Sequence, residues 1–600
     1  MSILSQIENA VVTSLRSRNN SDEFSNKDFQ LSQTKPEFNG DYTVVLFSIV
    51  KKLSKPPEVI GDELGQDMLN SSPTLFSGYN VIKGFLNLVI NEFFLSEFLD
   101  QNYNDASYAK KQKNGERVMV EYSSPNTNKP IHLGHLRNNF IGWSVAEILK
   151  SNGYEVVKTS VLNDRGIHIC KSMIAWQKFG NGATPESTGI KGDHLVGDYY
   201  VLFNNKFKKE VEGLVGNGKS KEEAEKEAPI MKATHQMLLD WESGNVQVID
   251  LWRQMNNWVY KGFEITYKRI GSDFDKIYYE SETYLLGKEF VQKGLNDNLL
   301  YQKTDGSVWI GLSEEGLDDK LLLRNDGTSV YITQDIGLAI QKFEHFKPGK
   351  SIYVIGDEQL HHMRVLKAVC KKLGFPFADN IYHLSYGMVE LTTGKMKGRE
   401  GTVVDADDLI DEMVATARKH TDDLGKVKDF TEDELQELYE TLGLGAMKYY
   451  LLRVDPKKRM VFNPEDSIDF HGFTGPFVQY TYARIQSILR KIKLKCIEAN
   501  RPLESLRTDA PLLPMERGLI IHLEQYGIAL EEAAKELNPS IIANYVFQLA
   551  KLFNSFYTEH AIANADTAEK QNLRLKIATM TANVIGSSMK LLGIKVPNRM

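Results

Sequence analysis

The sequence predicts an α/β protein of several domains, in which a parallel-sheet domain follows a small α+β domain and precedes an all-helical one. Its 600 residues exceed what one hydrophobic core holds, so about three or more domains are expected. From Arg117 onward, strand-like apolar runs alternate with helix-like amphipathic runs, which is typical of parallel strands joined by crossover helices. From Thr431 onward, helical periodicity prevails almost without interruption.

The composition is that of an ordinary globular protein. Apolar residues make up 42% and charged residues 25% of the chain, which excludes disordered, fibrous and membrane classes. Apolar runs stay short of the roughly 18 residues that a membrane helix needs. The N-terminus also lacks the basic and apolar pattern of a secretory signal. We therefore expect no membrane association and a cytoplasmic location.

Net charge limits how the chain could bind nucleic acid, and the cysteine pattern bears on disulfides and zinc sites. The formal net charge is −7, so any contact with nucleic acid has to come from local basic patches, and RNA is not excluded. Cys170, Cys370 and Cys496 are odd in number and far apart in sequence. This favours structural thiols over a disulfide framework or a structural zinc site.

Residues 1–110 are predicted to form the small α+β domain. Apolar residues recur at helical intervals between Ile3 and Leu15, with Ser5–Glu8 as a capping box. The run Phe85–Ile90 predicts a strand, and the polar stretch from Asn102 to Asn114 predicts a linker.

Residues 111–400 predict the parallel-sheet domain, interrupted by a charged helical insertion at about residues 180–245. The domain opens with a βαβ unit whose helix is capped at Gly153. The predicted elements in chain order are strand Val118–Tyr122, a helix with its apolar face between Leu136 and Leu149, and strands Glu155–Val161, Val308–Leu312, Ser351–Ile355 and Ile381–Val389, with helix Met363–Leu373 between the last two.

The remainder of the chain predicts two helical regions. Residues 401–472 form a connecting region with an acidic helix starting near Asp405 and a second helix opened by the capping pattern Thr431–Glu434. A boundary near Gly472 separates this region from the all-helical domain of residues 473–600.

The stretch from Glu121 to His135 carries the most informative motif, because it ends in His-Leu-Gly-His at a predicted helix start. Free backbone N–H groups and the positive end of the helix dipole suit a triphosphate, and Gly134 allows its close approach. His132 and His135 are three residues apart and can project together to donate hydrogen bonds to phosphate oxygens. Two histidines near a helix start are also typical of polar capping or surface residues.

A second motif lies far downstream, after the predicted strand Ile381–Val389. The Gly-flanked loop Thr393–Gly401 carries Lys395, Lys397 and Arg399, which suit the neutralisation of a departing pyrophosphate. Taken alone, this pattern is equally typical of a solvent-exposed basic turn. Both motifs at strand ends in this order indicate a nucleotide-dependent enzyme.

The two motifs resemble the signatures of a known family. His132–His135 looks like the HIGH signature of class I aminoacyl-tRNA synthetases, and Lys395–Arg399 looks like a variant of their KMSKS loop. A wider similarity, to the arginyl-tRNA synthetase family, covers essentially the full chain. The similar segments are Glu121–Arg137, Asn163–Gly166, Tyr331–Asp335, Tyr386–Met388 with the loop after it, Gln479–Arg484 and Pro597–Met600.

The resemblance implies a Rossmann-like class I catalytic domain between an additional N-terminal domain that contacts the tRNA elbow and a C-terminal helical anticodon-binding domain. It implies AMP-forming ligation of L-arginine to its tRNA, with ATP bound as the Mg²⁺ complex and no structural metal. It further implies a monomer in which arginine activation requires bound tRNA.

The resemblance also assigns the groups that act on ATP. It implies that His132, His135, Lys129 and Lys395 are catalytic, and that ATP is bound by His132, Gly134, His135, Lys395, Lys397 and Arg399. Gly398 stands where the KMSKS pattern has its second lysine, and Lys129 resembles the residue that supplies the missing charge. Glu400 adds a negative charge to the loop, and the effect of both departures on pyrophosphate binding is left open.

The arginine pocket follows from the same comparison. Tyr331 and Asp335 match residues that hold the substrate guanidinium, Glu280 is a second carboxylate, and Glu121, Ser123 and Asn126 match positions near the α-amino and carboxylate groups. Carboxylates suit the planar fork of a guanidinium, and lysine would leave buried acceptors unpaired, so no editing domain is expected. Without the resemblance, these positions are typical of a helix cap beside a core aromatic residue and of a polar turn.

For tRNA, the resemblance implies contacts by Tyr480, Arg484 and Met600. Phosphates favour the cations of this predicted helix, and unstacked bases favour aromatic or arginine faces. A bare charge run of this kind is also typical of a solvated helix face. The run comprises Arg484, Arg490, Lys491, Lys493 and Lys495.

Three alternatives remain open at this stage. A class I synthetase for another amino acid and a simple nucleotidyltransferase would share the HxGH motif. A non-catalytic tRNA-binding paralogue would keep the fold without the chemistry, but intact His132, Gly134, His135 and Lys395 argue against it.

Overall fold

The computed structural model describes residues 2–35, 37–392, 404–423, 425, 429–498 and 510–600, and of residues 494–498 the backbone alone. The first part is a four-stranded antiparallel sheet packed against helices. Its elements are α1 (Ile3–Asn19), β1 (Gln30–Gln33), β2 (Tyr42–Val45), α2 (Phe47–Leu53), α3 (Pro57–Ser71), β3 (Phe76–Ile82), β4 (Phe85–Ile90) and α4 (Glu92–Asn102), with strand order β1-β2-β4-β3.

The predicted N-terminal helix is confirmed, but its predicted cap is wrong. Ile3, Ile7, Val11 and Leu15 are all buried on one face of α1, as their spacing requires. The N-cap is Ser2, whose side chain accepts a hydrogen bond from the Ser5 N–H at 3.2 Å. The helix begins earlier than Ser5 because Ile3 already lies in the core, so the first turn has to form around it.

The middle of the chain contains ten strands among the described residues. Five of them form the parallel sheet that the sequence predicts. The strands are β5 (Arg117–Glu121), β6 (Glu155–Leu162), β7 (Lys276–Tyr279), β8 (Tyr301–Gln302), β9 (Val308–Ile310), β10 (Lys320–Leu323), β11 (Lys350–Gly356), β12 (Ile381–Tyr386), β13 (Val389–Leu391) and β14 (Met460–Phe462).

The helices of this middle part include long ones that belong to the predicted insertion. They are α5 (Leu133–Ser151), α6 (Ile167–Phe179), α7 (Pro185–Thr188), α8 (Gly192–Gly216), α9 (Lys221–Glu227), α10 (Pro229–Glu242), α11 (Val246–Ile270), α12 (Glu280–Thr283), α13 (Lys288–Asn296), α14 (Tyr331–Phe346), α15 (Leu360–Lys372), α16 (Ala406–Asp423), α17 (Glu432–Leu452) and α18 (Pro464–Ser467).

The order of the parallel strands creates a crevice. The sheet runs β12-β11-β5-β6-β7, so the chain starts in the middle, moves to one edge and returns to the other side of β5. Open parallel sheets bind ligands where the strand order reverses, outside the carboxyl ends of the strands. In this fold that point lies between β5 and β11. Helix α5 begins there.

Alternate residues of β5 serve the two faces of the sheet. Val118 and Val120 belong to the same buried cluster as Leu136 and Phe140 of α5. Met119 belongs instead to the cluster that contains Ile336 of α14. This two-residue period buries both faces of the central strand.

Two predicted strands differ from the structure. The predicted strand Val308–Leu312 forms over Val308–Ile310, but it lies in a separate antiparallel sheet with β8 and β10, because the short connections hold no crossover helix. The predicted strand Ile381–Val389 is divided. Its first part is β12, and after Gly387 the chain leaves the sheet as β13 and pairs with β14.

The described residues at the end of the chain form a bundle of five helices: α19 (Gly475–Glu498), α20 (Pro514–Glu524), α21 (Tyr526–Glu536), α22 (Pro539–Glu559) and α23 (Ala568–Leu591). It packs against the N-terminal sheet, where Arg517 forms an ion pair with Asp41 and Glu524 accepts from the Ile3 N–H at 2.6 Å. No described helix has the length and apolar character needed to span a membrane.

Other local predictions are confirmed. Thr431 and Glu434 form a reciprocal capping box at the start of α17. Gly153 follows the C-cap of α5 with a φ of +90°. Cys170 and Cys370 are buried free thiols whose pKa burial raises to about 12, and the side chain of Cys496 lies outside the described residues.

Helix α5 approaches β5 so closely that Gly142 has no room for a side chain. A Cβ at Gly142 would lie 2.3 Å from the Cβ of Tyr122. We expect Gly142→Ala to lower the free energy of unfolding by about 1–3 kcal/mol, seen as a lower urea midpoint by tryptophan fluorescence. Gly213→Ala is the matched control, since α8 leaves open space there, and we expect a gain of about 0.5–1 kcal/mol. An unchanged midpoint for Gly142→Ala would contradict the close packing.

Candidate active site

The His-Leu-Gly-His motif lies at the start of α5, in the crevice beside β5. His132 is the N-cap residue, and its ring stacks on that of His135 with centroids 3.7 Å apart. Nδ1 of His135 accepts a hydrogen bond from the His132 N–H at 3.3 Å. A neutral His135 therefore carries its proton on Nε2, where it is available to a ligand. Nδ1 of His132 is buried without a hydrogen-bond partner in the described part of the chain.

Both imidazoles are neutral at physiological pH. Burial, followed by the charge of Lys129, lowers the pKa of His132 to about 4. Burial, followed by His132 and Lys129, holds the pKa of His135 well below its usual range. Burial also lowers the pKa of Lys129. The pair is suited to donating hydrogen bonds to phosphate oxygens without carrying charge.

The chain that follows the second predicted motif lies directly against the first. The Leu133 N–H donates to Val404 O at 3.2 Å, and the Ala406 N–H donates to Ile131 O at 2.8 Å. These bonds make His132 and Asp405 antiparallel bridge partners. The basic loop itself, with Lys395, Lys397 and Arg399, lies outside the described residues, as do Gly398 and Glu400. Their predicted roles stay predictions.

A cleft of about 810 Å³ opens beside the carboxyl end of β6. Four of the predicted arginine-binding residues line it: Asn126, Glu280, Tyr331 and Asp335. Tyr331 is 76% exposed at the first position of α14. Asp335, one turn later, is hydrogen-bonded through Oδ2 to Nε2 of His362 at 2.6 Å. The structure thus brings together side chains from three separate elements.

Glu280 is the most perturbed acid of the cleft. Burial raises its pKa to about 7, opposed by the charge of Arg165 and assisted by those of Asp164 and Asp335. Asp164 fixes the start of α12, because its carboxylate accepts from the N–H and hydroxyl of Ser281 at 2.8 and 2.7 Å. These bonds hold the backbone of the helix turn from which the Glu280 side chain extends.

Two predicted arginine-binding residues lie in the interior and do not line this cleft. The Glu121 carboxylate forms a buried ion pair with Lys342 of α14. Ser123 has a φ of +57°, and its hydroxyl lies 2.9 Å from the hydroxyl of Tyr267. Both hold strands and helices around the site.

The sequence did not single out Arg165, which also lines the cleft. Arg165 lies over the ring of Tyr284 at 3.7 Å and over that of Trp241 at 5.1 Å, and it pairs with Glu242 at 3.0 Å. The available signal was the segment Asn163–Gly166, which follows a predicted strand. The sequence also did not single out the residues at the end of β11. There Gly356 and Asp357 follow a predicted strand at the switch point.

An acidic group next to the first motif is an ion-pair network. Asp193, His194 and Asp407 lie close enough to hold a cation, but the ammonium of Lys191 lies 3.0 Å from Asp193 and 2.6 Å from Asp407. A lysine in this position already supplies the positive charge that the carboxylates require.

The predicted tRNA-binding residues lie on the helical bundle. Arg484 lies over the rings of Tyr480 and Tyr557, at 4.8 and 5.5 Å, and donates to Asn554 Oδ1 at 2.5 Å. Met600 packs against the hydrophobic core. The arginine and the two rings form a surface on which bases can stack.

Two protein families match successive parts of this chain. Residues 98–463 match the family described as tRNA synthetases class I (R), catalytic domain, and residues 478–600 match the DALR anticodon binding domain. An arginine–tRNA ligase of Amoebophilus asiaticus is 50% identical over 573 residues, covering 96% of either chain. One of Porphyromonas gingivalis is 48% identical over 602 residues, covering 100% of each.

Solved structures agree on the fold. Arginyl-tRNA synthetase of Thermus thermophilus superposes with a TM-score of 0.76 at 24% identity, over 99% of this chain and 100% of that one. The enzyme of Plasmodium falciparum gives 0.76 at 19% identity, over 100% and 99%. The helix start and the cleft both fall within the residues matched to the class I catalytic domain. With 50% identity to a curated relative along 96% of its length, the chain belongs to the arginyl-tRNA synthetase family.

Proposed function

We propose that this chain is an arginine–tRNA ligase that uses ATP to activate L-arginine and then transfers it to the terminal adenosine of its tRNA. The observation that carries the proposal is the placement of the His132–His135 helix start at the same edge of the sheet as the acid-lined cleft. The helix start suits a triphosphate, and the acid-lined cleft suits a cation. A reaction that joins the two substrates needs both within reach.

We assign the guanidinium of arginine to Glu280 and Asp335, with Tyr331 at the mouth of the cleft. Two carboxylates accept the paired, charge-assisted hydrogen bonds of a guanidinium fork. We assign the α-amino or carboxylate group to Asn126, which lines the same cleft. Glu121 and Ser123 act on the pocket indirectly, since their side chains are engaged by Lys342 and Tyr267.

We assign the phosphates of Mg-ATP to the start of α5. His132 and His135 donate to phosphoryl oxygens, Gly134 lets them approach, and Lys129 supplies positive charge. Lys395, Lys397 and Arg399 complete this set on the strength of the family resemblance. Asp357 at the end of β11 lies at the nucleotide side of the crevice by the rule for switch points.

Catalysis consists mainly of positioning and charge neutralisation. A carboxylate oxygen of arginine attacks the α-phosphorus, the bond to the β-phosphate oxygen breaks, and pyrophosphate leaves with that electron pair. A ribose hydroxyl of the tRNA then attacks the adenylate carbonyl. The hydroxyl proton is released, and AMP leaves with the electrons of the mixed anhydride bond. Arg484 and Tyr480 are proposed to contact the anticodon, and the protein is proposed to act as a monomer.

ATP–pyrophosphate exchange with arginine, glutamine and cysteine, each with and without tRNA, tests the proposal. We expect exchange with arginine and tRNA together, followed by charging of tRNA with labelled arginine. Exchange with another amino acid would indicate a different class I enzyme. Binding of tRNA without any exchange would indicate a non-catalytic paralogue.

His135 is expected to act on the reacting phosphate. We expect His135→Ala to lower the rate of adenylate formation by about 10²–10³, because one preorganised donor to the transition state is lost. Pre-steady-state formation of adenylate measures this rate. His235→Ala is the matched control, since that histidine of α10 is exposed and does not line the cleft. A nearly normal rate for His135→Ala would rule out its assigned role.

The raised pKa of Glu280 predicts a pH dependence of arginine binding. With a pKa of about 7, the carboxyl group takes up a proton as the pH falls and loses its attraction for a guanidinium. We therefore expect KM for arginine to rise between pH 8 and pH 6. Glu280→Gln should raise this KM about tenfold or more at pH 8 and flatten its pH profile, whereas Glu289→Gln should leave both unchanged. A profile that persists in Glu280→Gln would contradict the assignment.

A further inference from the structure

Arg137 of α5 is a fully buried arginine that binds backbone carbonyl groups. It is 0% exposed, and its guanidinium donates to Met388 O at 3.2 Å, Pro456 O at 3.3 Å and Lys458 O at 2.7 Å. It follows His135 by two residues. The contacts therefore link the helix start of the candidate site to two distant loops.

Burying a charged guanidinium is costly unless it is well solvated by the protein. Burial lowers the pKa of Arg137 to about 10, opposed by Tyr386, Asp455 and Asp357, so the group stays charged at neutral pH. An apolar side chain would fill the same space without this cost. The three carbonyls make the position specific for a forked donor.

The carbonyls that Arg137 binds belong to the segments that form β13 and β14. The Met460 N–H also donates to Met388 O, at 3.1 Å, and the Gly387 N–H donates to Pro456 O, at 2.9 Å. The two backbones approach so closely that a Cβ at Gly387 would lie 2.6 Å from Arg459 N. Strand β13 is the last described element before residues 393–403. Arg137 thus fixes the chain that enters this stretch.

A second network fixes the chain that leaves it. Lys191 donates to Asp407 at 2.6 Å and to Thr266 at 2.6 Å, while His194 lies 3.1 Å from the same carboxylate. Burial alone would raise the pKa of Asp407, but hydrogen bonds from His194 and Lys191 hold it well below its usual range. Asp407 follows Val404–Ala406, whose backbone pairs with Ile131 and Leu133.

We propose that Arg137 and the Lys191–Asp407 pair are positioning residues for the nucleotide, because they hold the two chain segments flanking residues 393–403 against the helix start that carries His132 and His135. The inference rests on the proposed function, which places ATP at that helix start. None of the three side chains is assigned a contact with substrate. Their effect is on where the flanking segments lie relative to the imidazoles.

Calorimetric titration of the full chain with Mg-ATP and, separately, with arginine tests this role. We expect Arg137→Lys to keep the buried charge but lose the fork, and to weaken ATP binding about tenfold while arginine binding stays within about twofold. Lys191→Met should have the same selective effect. Arg117→Lys is the matched control, because Arg117 donates to Phe346 O at 2.7 Å at the opposite end of the sheet.

The test depends on whether the variants lose affinity for ATP but not for arginine. Wild-type ATP affinity in both variants, or an equal loss of ATP and arginine binding, would overturn the inference. Should Arg137→Lys fail to fold, as judged by its circular dichroism and melting temperature, Lys191→Met carries the test alone. If the wild type binds ATP but catalyses no exchange with arginine and tRNA, the proposed function is wrong. The titrations with Mg-ATP would still decide whether Arg137 and Lys191 position the nucleotide.

Discussion

Helix α5 carries polar residues into the protein interior, and the need to satisfy them determines how the site is assembled. Buried polar groups are costly without hydrogen-bond partners. Asn138 accepts from the Ser123 N–H at 2.6 Å and donates to Val354 O at 2.7 Å, so one side chain joins α5 to β11 and to the chain that follows β5. Arg137 joins it to the loops around β13. Any rotation of α5 would break these bonds, so the directions of His132 and His135 are fixed.

Burial shifts the pKa values of three groups in the site, His132, Lys129 and Glu280, toward the neutral form. It lowers the pKa of His132 to about 4 and that of Lys129, and it raises the pKa of Glu280 to about 7. All three shifts favour the neutral form. A triphosphate beside the lysine and a guanidinium beside the glutamate would each reverse the shift. Binding of either substrate would therefore favour the charged form of the group beside it.

The sequence predicts those parts of the fold that depend on neighbouring residues. The apolar spacing of α1, the β5–α5–β6 unit and the Thr431–Glu434 capping box are all local patterns, and the histidine pair is recognisable for the same reason. The predicted strand Ile381–Val389 breaks because the chain at Gly387 meets a backbone that lies far away in sequence. The ion pair of Glu121 with Lys342 is equally non-local, so no spacing rule could reveal that this carboxylate is already engaged.

One buried cluster extends across the predicted domain boundaries. Helix α5 packs on the sheet through Phe140, while Ser144 on the same helix donates to Leu591 O of the C-terminal bundle at 2.8 Å. Lys448, from the connecting region, donates to Ile270 O at the end of α11 and to Gly593 O at 2.6 Å each, and so ties α11 to that bundle. A single buried cluster contains Ile3, Val120 and Leu549. A cut near residue 472 would therefore expose part of the core behind α5, and the helix that positions the imidazoles depends on the domain proposed to bind the anticodon.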